Sequence, residues 1–403
     1  MPHFTTKKIS GELVGIIDVG SYKIRVAICE YHSNSINVLT FSEKRQSSTD
    51  IVNNKIKNLE GICENIELAI KKAEKEAGVK LENIIINPLF SDTFFYSKKI
   101  SYNRKDSDKK INETELFDIV SKVEEIGVIS ASKKIEKNYL YKIEDLDIIL
   151  SNISEIKIDN KIVDNPLNET GTHLMFHTLN IFIAKSNYEL ISYIGSYLNK
   201  NILKILPEEF CLAKIWEKDK SVVIINIGNS SSFITIKDDF GNIVGSIKLD
   251  VGIETLINKI CEVSDFSRAE IIKKIDRSDF FIKEKKEFLD IYSFLIIEGI
   301  KEIIGDNICI NNFFIVGGGG NNEFFKNYFE KVDFNSLGLK ISGKIKFVMP
   351  DIDKLCRIDD IENILCKSNL NIISMILAYN SIVNKKQDFI EKAIEKVLKK
   401  LVK

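Results

Sequence analysis

The stretch 15–30, GIIDVGSYKIRVAICE, reads as a buried strand that breaks at a polar, glycine-containing tip and then resumes alternating apolar and polar residues. About 200 residues later SVVIINIGNSSSFITIKDD, 221–239, repeats that grammar: buried strand, glycine- and hydroxyl-rich tip, strand resumed. A single hairpin cannot bury its own apolar face in water. Two copies of one such unit therefore imply a duplicated lobe, with a ligand clamped between the tips. Two unrelated hairpins with polar turns are the alternative, and it leaves the matched chemistry of the tips as coincidence.

The first tip brings Asp18, Gly20, Ser21 and Lys23 together within six residues. Glycine lets backbone amides approach a ligand, and several amides beside a hydroxyl make an anion cradle. Asp18 repels a bare phosphate but suits a hydrated Mg²⁺ next to one, because that ion keeps its waters and prefers oxygen ligands. A third signal is NFFIVGGGG, 312–320, an apolar strand that ends in four glycines before a helix-forming segment. Backbone without side chains at the C-terminal end of a strand lets a flat or charged ligand sit on amides. It is not G-x-G-x-x-G, and no acidic residue follows where a dinucleotide ribose would want one, so a dinucleotide fold is a poor reading.

At 403 residues the chain exceeds one typical core. Lys and Arg number 57 against 58 Asp and Glu, which argues against a generally basic nucleic-acid binder. The seven cysteines (Cys29, Cys63, Cys211, Cys261, Cys309, Cys356, Cys366) are odd in number, scattered and never paired as C-x-x-C. That is the usage of a reducing compartment, with neither a disulfide framework nor a zinc site. The N-terminal MPHFTTKKISGELV lacks an apolar core segment and does not read as a secretory signal, and no uncharged apolar run reaches the length of a bilayer span. The expectation is a soluble protein unless something lays it on a surface.

Along the chain, INVLTFSEK adds a third strand to the first hairpin, and NLEGICENIELAIKKAEKEAGVK has helical spacing with Gly78 as its stop. LENIIINPLF reads as the next buried strand. From about Thr93 the texture becomes charged, with a helix at INETELFDIVSKVEEI and short strands such as DLDIILSNI, as in a separate inserted module. LNIFIAK and NYELISYIGSYLN return to the style of the first lobe. His173 and His177 are four apart, but Leu174 stands where a zincin has Glu, so structural roles are expected; Trp216 reads as packing. Glu208 and Glu209 fit either a water-positioning role or a helix N-terminus.

Three tips in this order, with an insertion in the first lobe, resemble the actin-like ATPase superfamily and, within it, the FtsA family of bacterial division proteins. DVGSYKIRVAI resembles the family's phosphate-1 loop, IINIGNSSSFITI its phosphate-2 loop and VGGGG its adenosine loop. DVGIETLINKICEVSDFSRAEIIKKID is similar to the family's Gly-Gly-x-x-x-T stretch followed by A-E-x-x-K, which here gives Gly252, Thr255, Glu270 and Lys273. KIVDNPLNETGTHL resembles the turn that closes the inserted subdomain. The resemblance implies an α/β, ribonuclease H-like duplicated, two-lobed actin-like fold. It divides the chain into subdomain 1A (12–92, 178–205 and 362–384), the FtsA-type insertion 1C (93–177), 2A (206–250 and 308–361), 2B (251–307), and a hinge with a C-terminal amphipathic helix (385–403).

It further implies a Mg-ATP site built from Asp18, Gly20, Ser21, Lys23, Asn226, Gly228, Ser230, Ser231, Gly252, Glu270, Lys273, Gly317, Gly318 and Gly319, with Asp18 reaching the metal through water. Two departures stand out. Asn226 replaces the usual aspartate of the phosphate-2 loop, and Asn229 with Ser230–Ser232 replaces its Gly-Gly-Thr-Thr texture. Asparagine keeps hydrogen bonds and loses the charge, which predicts nucleotide binding with at most slow ATP hydrolysis; no catalytic residue is nominated.

The tail DFIEKAIEKVLKKLVK places Phe389, Ile390, Ile394, Val397, Leu398 and Leu401 on one half of a helix, with Lys396 and Lys400 among the lysines opposite. The pattern fits a helix lying in a membrane interface, and equally a terminal helix docked on its own protein or on a second copy. The family's habit of ending in such a helix implies the membrane. The resulting expectation is a scaffold on the cytoplasmic side of the cell membrane at the division site, self-associating as a filament or homo-oligomer, bound to anionic lipid, recruiting the polymer FtsZ and in reach of other divisome proteins. A PilM-like pilus-assembly actin homologue and a small-molecule kinase of the same superfamily are the rivals. The kinase needs a carboxylate base with a recognisable motif, and none is nominated.

Overall fold

The computed structural model describes residues 10–401 apart from 34, 48, 53–54, 89–91, 140, 278, 321–322, 352–357, 361–368 and 386–388. Cys356, Cys366, the 362–368 part of the first lobe and residues 386–388 of the expected hinge lie outside the described residues.

The first lobe begins with β1 (Glu12–Val19), β2 (Lys23–Tyr31) and β3 (Ile36–Arg45), followed by the short pair β4 (Ile51–Val52) and β5 (Lys55–Ile56). Next come α1 (Leu59–Ala77) and β6 (Asn83–Ile86). Asn58 caps α1 by accepting from the Gly61 amide, and Gly78 ends it in the left-handed region at φ 69°. The insertion contains β7 (Thr93–Asn103), α2 (Glu113–Tyr139), β8 (Leu146–Ile158), β9 (Lys161–Ile162) and β10 (His173–Ala184). The chain returns through α3 (Lys185–Leu198) and β11 (Asn201–Ile205).

The second lobe comprises α4 (Glu208–Lys214), β12 (Val222–Ile227), β13 (Ser232–Lys237), β14 (Ile243–Leu249), α5 (Ile253–Val263), α6 (Arg268–Lys274), α7 (Ile282–Ile304), β15 (Asn312–Val316), α8 (Gly317–Gly320), α9 (Glu323–Phe329) and β16 (Lys346–Phe347). β17 (Ile358–Asp360), α10 (Leu370–Lys385) and α11 (Phe389–Leu401) complete the chain.

The duplication is visible in the strand order. The first sheet runs β11-β6-β1-β2-β3-β17 and the second β16-β15-β12-β13-β14. In each, an antiparallel three-strand meander is extended by two parallel strands on the side of its first strand. Between the sheets lie α4 and α10, whose Phe210, Leu212, Ile373 and Tyr379 share one core with Ile16 of β1 and Ile224 of β12. Trp216 packs there edge-on to Phe314, with ring centroids 5.3 Å apart. The outer faces are covered by α1 and α3 on the first sheet and by α5, α6, α7 and α9 on the second.

The insertion is a separate sheet of order β7-β10-β8-β9 with α2 packed on it. Here the structure moves a boundary: 178–184, expected in the first lobe, is the second half of β10. That strand pairs without interruption with β7 from His173↔Asn103 to Ile183↔Thr93, so the lobe resumes only at α3. The local texture was apolar because this end of β10 abuts the lobe's core, where Leu179 and Ile181 are buried. His177 accepts or donates at Nε2 to Ser97 Oγ at 2.6 Å, while His173 faces Asn103 Oδ1 at 2.8 Å, so the two rings serve different partners. No helix among the described residues is long and apolar enough to cross a membrane.

The terminal helix does not stand free. Ile390, Ala393 and Ile394 are buried in the insertion's core beside Leu116, Ile119, Val120 and Val123 of α2. The docked-helix arrangement is thus the one the structure holds. The side chains of Val397, Leu398, Lys400 and Leu401 lie outside the described residues.

Candidate functional site

Pairing of Val19 with Ile24 and of Ile227 with Ser232 closes the two hairpins so that their tips, 20–22 and 228–231, face one another. Asn229 Nδ2 donates to Ser21 Oγ across the gap at 3.4 Å. Between them is a cavity of about 470 Å³, within the range of small-molecule sites. Its lining includes Asp18, Gly20, Ser21, Lys23, Asn226, Gly228, Ser230, Ser231, Gly317 and Gly318. Ten of the expected nucleotide-site residues, from three distant segments, therefore meet in one cleft. Gly319 belongs to α8 beside it.

Close approach explains the glycine of the third turn. A Cβ on Gly317 would stand 2.2 Å from Asn226 Oδ1 and 2.4 Å from the Ile227 carbonyl, so any other residue would push this turn off the second hairpin. Gly252 acts one layer back: a Cβ there would meet the Asn229 carbonyl at 2.3 Å, and it is a support for the second tip, not part of the lining. Glu270 and Lys273 are also not on the lining. Glu270 is the partner in a capping box, where its Oε2 accepts from the Ser267 amide at 2.9 Å and from Ser267 Oγ at 2.7 Å. Ile272 of α6 and, just past its C-terminus, Ile275 and Asp276 line the cleft instead. With Ile253 and Ile257 of α5, these isoleucines form an apolar wall suited to a flat base, next to the polar tips.

The floor of the cleft is acidic and crowded. Asp18, 1% exposed, receives Arg25 Nη1 on Oδ2 at 2.8 Å, the two residues being opposite each other across the β1–β2 ladder. Arg25 Nε also reaches Glu43 Oε1 at 3.4 Å, and Lys23 Nζ reaches Glu43 Oε2 at 2.9 Å. Burial alone lowers the Arg25 pKa, but the charge and hydrogen bond of Asp18 outweigh it and hold the guanidinium firmly protonated. Glu208 sits beside this pair and accepts from three asparagine amides: Asn87 at 3.2 Å, Asn226 at 3.1 Å and Asn371 at 2.8 Å. Its burial, together with the neighbouring charges of Asp18 and Glu209, pushes its carboxyl well above the usual carboxylate range. Burial likewise raises Glu209, which accepts from Thr93 Oγ1 at 3.1 Å.

Asp18 Oδ1, Asn226 Oδ1 and Asn371 Oδ1 are buried without a hydrogen-bond donor. These acceptors belong to residues that line one cleft, with no sulfur or imidazole among them, and an all-oxygen donor set of this kind suits a hydrated Mg²⁺ ion. The residues present therefore fit that ion.

Sequence reasoning missed Arg25, Asn87, Asn371 and the isoleucine wall. Arg25 was recoverable: a two-strand register places it opposite Asp18. The two asparagines carry no local signal, since one follows β6 and the other opens α10.

No family model matches the sequence, and neither does any curated protein. Solved structures do match in shape. The PilM-PilN type IV pilus biogenesis complex is similar with a TM-score of 0.60 at 10% identity, over 93% of this chain and 99% of that one. The ethanolamine utilization protein EutJ from Carboxydothermus hydrogenoformans gives 0.48 at 10% identity, covering 91% of each chain. The apo psk41 ParM protein gives 0.39 at 12% identity, covering 93% of this chain and 99% of that one. With the duplicated sheets described above, the first of these shows the fold to be that of the actin-like ATPases.

Proposed function

We propose that this chain is an ATP-binding, self-associating scaffold of the FtsA type, which tethers FtsZ filaments to the cytoplasmic face of the membrane during division. The observation that carries its nucleotide-binding core is the convergence of the two tips and the glycine turn on one cleft floored by donor-less oxygens. Backbone amides and hydroxyls of Gly20, Ser21, Gly228, Ser230 and Ser231 hold the phosphates, Lys23 neutralises them, and the α5–α6 isoleucines take the base. Asp18, Asn226 and Asn371 would hold a hydrated Mg²⁺, which would supply phosphate charge neutralisation. Turnover is slow in this reading because Asn226 stands where the second carboxylate of the phosphate-2 loop is expected, so hydrogen bonds remain there but the anion that helps place metal and water is missing. ATP then works as a switch for self-association, and filaments collect many membrane helices.

The similarity to the PilM-PilN complex favours a second reading, a pilus-assembly scaffold that binds nucleotide in the same cleft. Sedimentation with FtsZ polymers separates the two, since only the FtsA-type scaffold pellets with them. Calorimetry with ATP and Mg²⁺ tests the shared core. Asp18→Ala is expected to weaken binding roughly tenfold or more, the scale of one lost charge-assisted contact; equal affinities would overturn the assignment.

A further inference from the structure

The terminal helix spends, on its own protein, the face that a lipid surface needs. Ile390, Ala393 and Ile394 are buried against α2, and Lys396 Nζ lies 5.7 Å from the ring centroid of Phe117, so apolar and basic residues of the helix are both engaged. The seat contains a flaw that an ordinary core would not keep. Glu124 of α2 is fully buried in it, with Oε1 lacking a hydrogen-bond partner and Oε2 accepting from Ser151 Oγ at 2.7 Å. β8 and β10 present Glu124 with the neutral Ser151 and Asn180, while α11 presents it with the like charge of Glu391.

We propose that α11 is a two-position strap: seated on α2 it is withheld from the membrane, and the α2 seat and an anionic lipid surface compete for the same apolar face. The proposal rests on the membrane reading above and adds its regulation. Both positions draw on Ile390, Ala393 and Ile394, so release depends on the difference between two similar terms, and a modest bias moves the population. The Glu124–Glu391 opposition is such a bias. Burial first, then the Glu391 charge, pushes the Glu124 carboxyl up to about 7, so ionisation as pH rises through that value works against seating.

The test leaves the helix untouched and changes only its seat, in the full-length protein. Val123→Asp puts a charge under α11, and Glu124→Gln removes one while keeping an acceptor for Ser151. Flotation with vesicles of phosphatidylcholine and phosphatidylglycerol at pH 8 is measured beside hydrogen exchange of the α11 amides. Val123→Asp is expected to raise the floated fraction about fivefold and to strip α11 of protection, whereas Glu124→Gln lowers flotation about threefold and increases protection. If the wild type floats and both variants float equally well, the strap is wrong and the membrane reading stands. Circular dichroism checks that each variant is folded, and where Val123→Asp is not, the flotation of folded Glu124→Gln against the wild type decides that point. If Val123→Asp exposes α11 and no protein floats, the membrane reading falls and takes the strap with it.

Discussion

At the scale of residues, the cleft is governed by the ion pair of Asp18 with Arg25 and by the buried acid Glu208, whose carboxyl the neighbouring charge of Asp18 helps to push up. Asp18 is buried and ion-paired, so its removal costs more than a polar turn would suggest. Arg25 is left without its partner, and a loss of about 1–3 kcal/mol is expected, since the guanidinium is still partly solvated. Glu208 makes the site sensitive to pH. Its pKa is raised in the folded protein, so the folded state binds the proton more tightly than the unfolded chain. Stability therefore falls as pH climbs from the ordinary carboxylate range toward the raised value. Urea denaturation of Glu208→Gln at pH 5 and pH 8 should show a smaller difference between the two conditions than the wild type. An unchanged difference would mean that the pH dependence originates elsewhere.

At the scale of elements, one segment changed its role once its surroundings were known. A-E-x-x-K on α6 places Glu270 and Lys273 on a common helical face, but that face is not on the cleft, because Ile271 is buried in the core beneath and Ile272 is the residue of the helix that lines the cleft. Glu270 is then free to cap the helix. Glu270→Ala is expected to lower the melting temperature slightly through the lost capping box and to leave ATP affinity unchanged. A large loss of affinity by calorimetry, with the helix intact, would return Glu270 to the nucleotide.

At the scale of the whole molecule, the lobes are joined by a shared core but touch at the cleft through small polar contacts, such as Asn229 to Ser21 and Asn87 to Glu208. A ligand gripping both tips binds only the folded, apposed lobes, and stabilises them by mass action. Saturation at about a hundred times Kd should add about 2.7 kcal/mol to the free energy of unfolding, seen as a raised midpoint by differential scanning calorimetry. Asp18→Ala should lose most of that gain. Stabilisation that is equal in both proteins would place the nucleotide at another site.

What the sequence alone determined is local. Alternation and glycine-bearing tips specified the two hairpins, helical spacing with Gly78 as its stop marked α1, and the charged texture after Thr93 marked the insertion. Such features are legible because backbone geometry is decided by neighbours a few residues apart. The tertiary structure decided which distant groups meet. Asn87, Asn226 and Asn371 converge on Glu208 from three elements, and nothing in the sequence near any of them announces it. The tail shows the same limit most plainly. Its pattern states that one face of α11 must leave water, but burial of apolar surface is non-directional and does not name the surface that covers it. Only the packed insertion, with α2 alongside, supplied that partner.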